Sequence, residues 1–381
     1  MRTKEIILIV VTSLLMYGDL CARPAPSGKL QYFYVGTYTK AESKGIYIYS
    51  IDPVTGKLSN LGLAAKSENP SFLTLTPDGR FLLAANEIQD EKHGNMGSIE
   101  SFSTGSKDHL LSSINKVWSG GADPCFVSVN SSGNVLAANY SGGNVALFHL
   151  DKSGKLSEFT DLKQHHGSGP NLARQKEPHV HSAYFEPLSN RIFVSDLGTD
   201  KVAIYLNEAG KGKLKPAEIP AINIAPGSGP RHLAFHPRLK VVYVINEILN
   251  NITVVNLNTN GSFTTIETVS TLPAGYTKES NCADIHITKD GRFLYASNRG
   301  FNSIAIFSVD PVNGKIVLIG QESIRGETPR NFTLSPNEDF LLVANQNSQD
   351  IVSFRRNSIT GLLEFTDQIK AFKPVCLLFC K

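Results

Sequence analysis

The chain has 381 residues, 41% of them hydrophobic and 19% charged, which is enough apolar material for a large core and excludes disordered and fibrous classes. A formal charge of +3, with no basic run interleaved with aromatics, gives no footing for a nucleic-acid partner. Arg2 and Lys4 precede an apolar stretch from Ile6 to Tyr17, followed by Gly18, Asp19, Leu20, Cys21 and Ala22. Residues 1–22 therefore read as a secretory signal peptide and 23–30 as a linker, so an exported protein, periplasmic or extracellular, is expected. The apolar stretch is short for a membrane span, and Cys21 is the one position for a lipid anchor, although Gly18 to Leu20 make a poor approach to such a site.

From residue 31 onward one motif recurs: a small or special residue opens a strand, a tight turn follows, and a second strand ends in Asn or Asp. Six copies run from Pro70 to Asn86, Pro124 to Asn139, Val180 to Asp196, Pro230 to Asn246, Cys282 to Asn298 and Pro329 to Asn345. Each predicts an antiparallel hairpin. The openings lie 54, 56, 50, 52 and 47 residues apart. Between them stand a third apolar strand, such as NVALFHL (144–150) or SIAIFSV (303–309), a Gly-containing turn such as DPVTGKL (52–58) or DPVNGKI (310–316), and a fourth strand. That period fits a four-stranded propeller blade. PVCLLF, from Pro374, supplies an opening strand and YFYVGTY (32–38) a second strand that lacks one. The expected fold is all-β: residues 31–381 as one seven-bladed β-propeller, four antiparallel strands per blade, closed by N- and C-terminal strands sharing one blade. Closure removes the exposed edges of an open sheet, and a monomer is expected.

Because the turn returns the chain, the residue after each opening and the residue after each terminal Asn lie at the same end of the hairpin. The first column reads Ser71, Cys125, His181, Arg231, Ala283, Arg330 and Val375; the second reads Glu87, Tyr140, Leu197, Glu247, Arg299, Gln346 and, approximately, Thr37. His232, Asp284 and Asn331 follow one step further in. Charged side chains of both signs converging on a narrow mouth are costly to desolvate unless they pair or meet a ligand. An anion-binding catalytic pocket is the preferred reading, against a set of Arg–Glu pairs that merely close the channel.

The Asn and Asp column (Asn86, Asn139, Asp196, Asn246, Asn298, Asn345) has a structural account, because these side chains satisfy local backbone groups at strand ends. The same ring could offer oxygens to calcium, but only Asp196 is charged, and neither a metal nor any cofactor is expected. His179 and His181 flank Val180 and are expected to point to opposite faces, which disfavours both as ligands of one ion. His165 and His166 lie in a loop that reads as solvated rather than as a cover for the mouth. Cys125 and Cys282 open strands as small packing residues; Cys376 and Cys380, roughly 13 Å apart in an extended strand, are too distant to bridge.

At this level the chain resembles the seven-bladed propeller lactonases, which include bacterial 6-phosphogluconolactonases and fungal carboxymuconate lactonising enzymes. The resemblance rests on YVGTYT (34–39), Gly45-Ile46-Tyr47, EPHVHSAYFEP (177–187), DLGTDKV (196–202), GPRHLAFHP (229–237), Asn246-Glu247, DGRFLYASNRG (290–300) and PRNFTLSP (329–336). Many relatives have Pro-His-Ala-His where this chain has Pro178, His179, Val180 and His181. The resemblance implies hydrolysis of a sugar-derived lactone, with the catalytic His, Arg, Glu and Arg falling on His181, Arg231, Glu247 and Arg299. His181, helped by Glu247, is expected to activate water, with Arg231 or Arg299 facing the oxyanion and Arg330 holding a phosphate or carboxylate. His179, His232, Glu87, Asp284 and Asn331 complete the expected contacts to a small anionic lactone. The alternatives are a cycloisomerase that closes a muconate-like diacid, or a propeller that binds a ligand without catalysis.

Overall fold

In the computed structural model, residues 28–39, 42–105, 107–187, 189–208 and 210–381 are described; the expected signal peptide and Cys21 lie outside them. Seven four-stranded antiparallel sheets carry the chain, and one 3₁₀ turn, Glu91–His93, is the helical element among the described residues. Blade 1 joins the two ends of the chain, ordered Pro374–Phe379, Gln31–Thr37, Gly45–Ile51 and Leu58–Lys66. The innermost strands of blades 2 to 7 are Pro70–Leu75, Pro124–Val129, Val180–Phe185, Pro230–Phe235, Asn281–Ile287 and Pro329–Leu334. Each innermost strand touches the next, and that of blade 1 touches those of blades 7 and 2, so the ring closes. The expected seven-bladed architecture and its mode of closure are both present.

Local chemistry forms these strands. In three blades the outer turn begins with Asp52, Asp310 or Asn357, whose side-chain oxygen accepts from the backbone N–H groups two and three residues on. This Asx geometry fixes the reversal, and Gly56, Gly314 and Gly361 complete it at φ 80°, 74° and 77°, where a side chain would be strained. Apolar residues on both faces of the middle strands then pack between neighbouring blades. There are seven such clusters, one per interface. The one that closes the ring joins Phe33, Tyr49 and Leu377 of blade 1 to Phe340 and Ile351 of blade 7. Each such side chain contributes about 1.5–3 kcal/mol on burial. Cys125, Cys282, Cys376 and Cys380 are free thiols.

A feature that alternation in the sequence does not report sits at the start of every innermost strand. In all seven blades the register slips by one residue just after the opening position, at Ser71, Cys125, His181, Arg231, the Ala283–Asp284 pair, Arg330 and Val375. Each slip is a β-bulge, which places an extra residue opposite one partner and re-aims its side chain. In a regular strand, successive side chains face opposite ways. Here Arg231 and His232 touch, Nη1 to Nε2 at 3.3 Å.

Candidate active site

The seven bulges and the seven residues that come next after the partners of the opening residues ring one mouth of the channel. The second column is defined by backbone pairing: Pro70 pairs with Asn86, Pro230 with Asn246, and Pro374 with Thr37. Thr37 therefore occupies the Asn position of blade 1, and Tyr38 is the second-column residue. The expected position was one residue short, because Thr37 stands where the other six blades mark the strand end with Asn or Asp. Tyr38 donates to Glu87 Oε1 at 2.8 Å, and Arg330 lies over its ring, 5.4 Å from the centroid and 3.8 Å from the same carboxylate.

On the opposite side of the mouth, Glu247 gathers three guanidiniums. Oε2 accepts from Arg231 Nε at 3.0 Å and pairs with Arg299 Nη2 at 2.8 Å, and Oε1 accepts from Arg174 Nη2 at 2.5 Å. Burial works to raise the Glu247 pKa, but Arg299, Arg231 and Arg174 overcome it and hold the carboxyl well below the ordinary range. Burial draws Arg231 down to about 10, so it stays a cation at neutral pH. Its other contacts, Nη1 to Ala283 O and to His232 Nε2, leave Nη2 without a partner among the described residues. Arg299 donates a second bond to Cys282 O at 2.8 Å, and its buried Nε has no partner among the described residues.

His181 is 4% exposed, and its pKa falls well below the ordinary imidazole value because of burial first and Arg231 second. The ring is therefore neutral. Nδ1 lies 3.7 Å from Cys125 Sγ, and Nε2 carries no hydrogen bond among the described residues. Glu247 does not reach His181: both of its oxygens are occupied by arginines, and the partnership expected between the two is absent from this geometry. Burial pushes the Cys125 thiol up, and the Cys282 thiol to about 12, which leaves both as packing groups.

His179 and His181 converge on Tyr140 rather than diverge, His181 being re-aimed by the bulge that it occupies. Tyr140 stacks on His179 at 4.4 Å and meets His181 edge-on at 5.5 Å, while His179 Nδ1 lies 3.2 Å from Tyr140 O. One step deeper, Asp284 binds His232 Nδ1 at 2.7 Å, His286 Nε2 at 3.1 Å and Asn331 Nδ2 at 2.5 Å. Burial would raise the Asp284 pKa; His286 and His232 hold it well below the ordinary value. Burial and Arg231 bring His232 down to about 4, so it is neutral. Asn331 closes the group by accepting from Leu377 N at 2.7 Å. His232, Asp284 and Asn331 thus form a packed support beneath the mouth.

The Asn column is structural. Asn86 donates to Glu68 O, Asn139 to Ser119 O, Asn298 to Thr271 O and Asn345 to Ile324 O, each at 2.6 to 3.3 Å. Asp196 accepts from His179 N and Gly198 N and pairs with His165 Nδ1 at 2.9 Å. His165 is held there, also 3.1 Å from Tyr205 OH, and does not cover the mouth. No group of three His, Cys, Asp or Glu side chains suited to a metal occurs among the described residues. Arg174 and Tyr38 were not legible as site residues: one lies in a loop without periodicity, the other follows a strand that ends in Thr rather than Asn or Asp.

Residues 32–379 match the family model for the seven-bladed β-propeller lactonase. The chain is 36% identical over 352 residues to the 6-phosphogluconolactonase of Bacillus subtilis (strain 168), covering 91% of this chain and 97% of the relative. It is 37% identical over 341 residues to the 6-phosphogluconolactonase of Formosa agariphila, covering 87% and 94%. The solved periplasmic gluconolactonase of Pseudomonas aeruginosa superposes with a TM-score of 0.87 at 31% identity, covering 93% of this chain and 99% of that one. With a family match over residues 32–379 and a ring of His, Arg and Glu at one mouth of a seven-bladed ring, this chain belongs to the seven-bladed β-propeller lactonase family.

Proposed function

We propose that the mouth hydrolyses a sugar-derived lactone of the 6-phosphogluconolactone type to the open acid. The observation that carries this reading is a buried, neutral imidazole with a free nitrogen beside a fixed bank of arginines. His181 Nε2 takes a proton from water as the oxygen attacks the lactone carbonyl. The charge that develops on the carbonyl oxygen faces Arg231 Nη2, the guanidinium nitrogen left unbonded among the described residues. Collapse breaks the bond from the acyl carbon to the ring oxygen, and that oxygen takes the proton back from His181. Glu247 acts here as the anchor that orients the arginines. Across the mouth, Arg330 and Glu87 keep part of their side chains exposed, which suits them to the polar groups of the sugar.

Purified mature protein assayed against phosphorylated and unphosphorylated aldonolactones, with and without chelator, tests the reading. Hydrolysis is expected in both conditions. His181→Ala is expected to lower turnover by about 10² to 10⁴ with the fold retained, and near-normal turnover in that variant rejects the base. Residues 1–22 serve as an export signal in this proposal, in keeping with the relative named as periplasmic. N-terminal sequencing of the mature protein from its host tests that.

A further inference from the structure

The 165–179 loop between blades 3 and 4 brings Arg174 to the mouth as well as His179, and Arg174 is surplus to the packing. Glu247 Oε2 already binds Arg231 Nε and Arg299 Nη2, so the carboxylate is matched before Arg174 arrives at Oε1. Two guanidiniums neutralise Glu247 twice over. A third at the same carboxylate is held by one bond of 2.5 Å and a marginal contact of 3.5 Å to Tyr140 OH. Arg174 also differs from the others in freedom. Its side chain is 36% exposed, against 2% for Arg231, 16% for Arg299 and 18% for Arg330.

Its root, by contrast, is fixed. Gln175 is fully buried and donates to Leu197 O and Asp200 Oδ1, both at 2.8 Å, and it accepts from Asn171 N at 3.1 Å. Backbone bonds from Gly169 N and Arg174 N close the loop on itself. A firm base with a long, half-solvated arm is the arrangement that lets a guanidinium change partner without refolding the loop. The two columns and this loop also leave charge unspent. Arg174, Arg231, Arg299 and Arg330 face Glu87 and Glu247, an excess of two positive charges that a phosphate monoester dianion would match.

We propose that Arg174 is the specificity residue of this mouth, leaving Glu247 Oε1 to grip the phosphate of a phosphorylated lactone. A guanidinium fork binds phosphate oxygens in pairs, and its exchange of one anion for another carries no net loss of ion pairing. This rests on the lactonase reading above and refines its substrate. In the full-length mature protein, Arg174→Ala should lower kcat/KM for a phosphorylated aldonolactone about 10- to 100-fold more than for its unphosphorylated counterpart, the worth of a charge-assisted contact. The difference should fall mainly in KM, and Arg174→Lys should recover part of it. Inorganic phosphate should raise the melting temperature of the wild type and of Arg174→Lys more than that of Arg174→Ala.

An equal loss for both substrates overturns the assignment, as does discrimination that disappears in Arg330→Met while surviving in Arg174→Ala. If the wild type hydrolyses neither lactone, the lactonase reading falls, and the phosphate measurement still decides Arg174. Unchanged phosphate protection in Arg174→Ala then rejects it.

Discussion

Glu247→Gln removes one negative charge from the most crowded point of the mouth while keeping its shape. Glu247 is 4% exposed and Arg231 2%, so the substitution leaves a buried guanidinium with no carboxylate. The introduced amide would keep a carbonyl for one arginine and turn its NH₂ group toward another. The cost of breaking a buried pair from one side is about 3–5 kcal/mol. Arg299 and Arg174, partly solvated, add less. Against the roughly 5–15 kcal/mol of a typical domain, that is a large fraction, measurable as a lower urea midpoint at constant slope. Arg231→Met in the Glu247→Gln background removes the stranded charge, so the double variant should be more stable than the two single losses together predict. The pH dependence follows. The Glu247 carboxyl is held below its unfolded value of 4.5, so its contribution is present above pH 4.5 and is lost as pH falls. Glu247→Gln should flatten that acid limb. A loss below about 1 kcal/mol, or strictly additive single effects, would refute the claim that the mouth is dry enough for Glu247 to anchor the arginines.

Other consequences can be checked independently. His181 must be neutral to accept a proton, and its pKa lies well below 6.5, so kcat/KM should stay level from about pH 8 to 6.5 and fall only at lower pH. An acid limb centred at or above pH 6.5 contradicts the base assignment. Asp284 binds two imidazoles and Asn331 under the mouth, so Asp284→Ala should destabilise the fold by about 3 kcal/mol or more in urea unfolding; a neutral effect would show that the cluster is solvated. Deleting residues 374–381 removes the innermost strand of blade 1, together with buried Val375, Cys376 and Leu377. It exposes the edge of Gln31–Thr37, and loss of the cooperative transition with a tendency to aggregate is expected in calorimetry.

The repeat was legible because blade formation is a local problem. Alternating apolar strands, Asx-type outer turns such as Asp52 to Gly56, and a period of roughly 50 residues appear in the one-dimensional text, and only a closed ring satisfies them all. The two columns were legible for the same reason: where aligned copies disagree, as at His181, Arg231, Glu247, Arg299 and Arg330, packing does not dictate the residue. Roles were less accessible. Glu247 read as a helper of His181, because sequence registers that the two share a mouth but not that three guanidiniums reach the carboxylate first.

What the amino-acid sequence determined by itself was the set of blades and the list of residues at one end of them. Those depend on periodicity and on contacts between near neighbours in the chain. The tertiary structure decided the partners. The bulges turn Arg231 onto His232, the pairing of Pro374 with Thr37 gives the second-column place to Tyr38, and a loop of no recognisable pattern brings Arg174 across 73 positions to Glu247. Such pairings depend on distances set by the closed ring, to the nearest ångström, and a ring exists only when residues far apart in sequence are already in place.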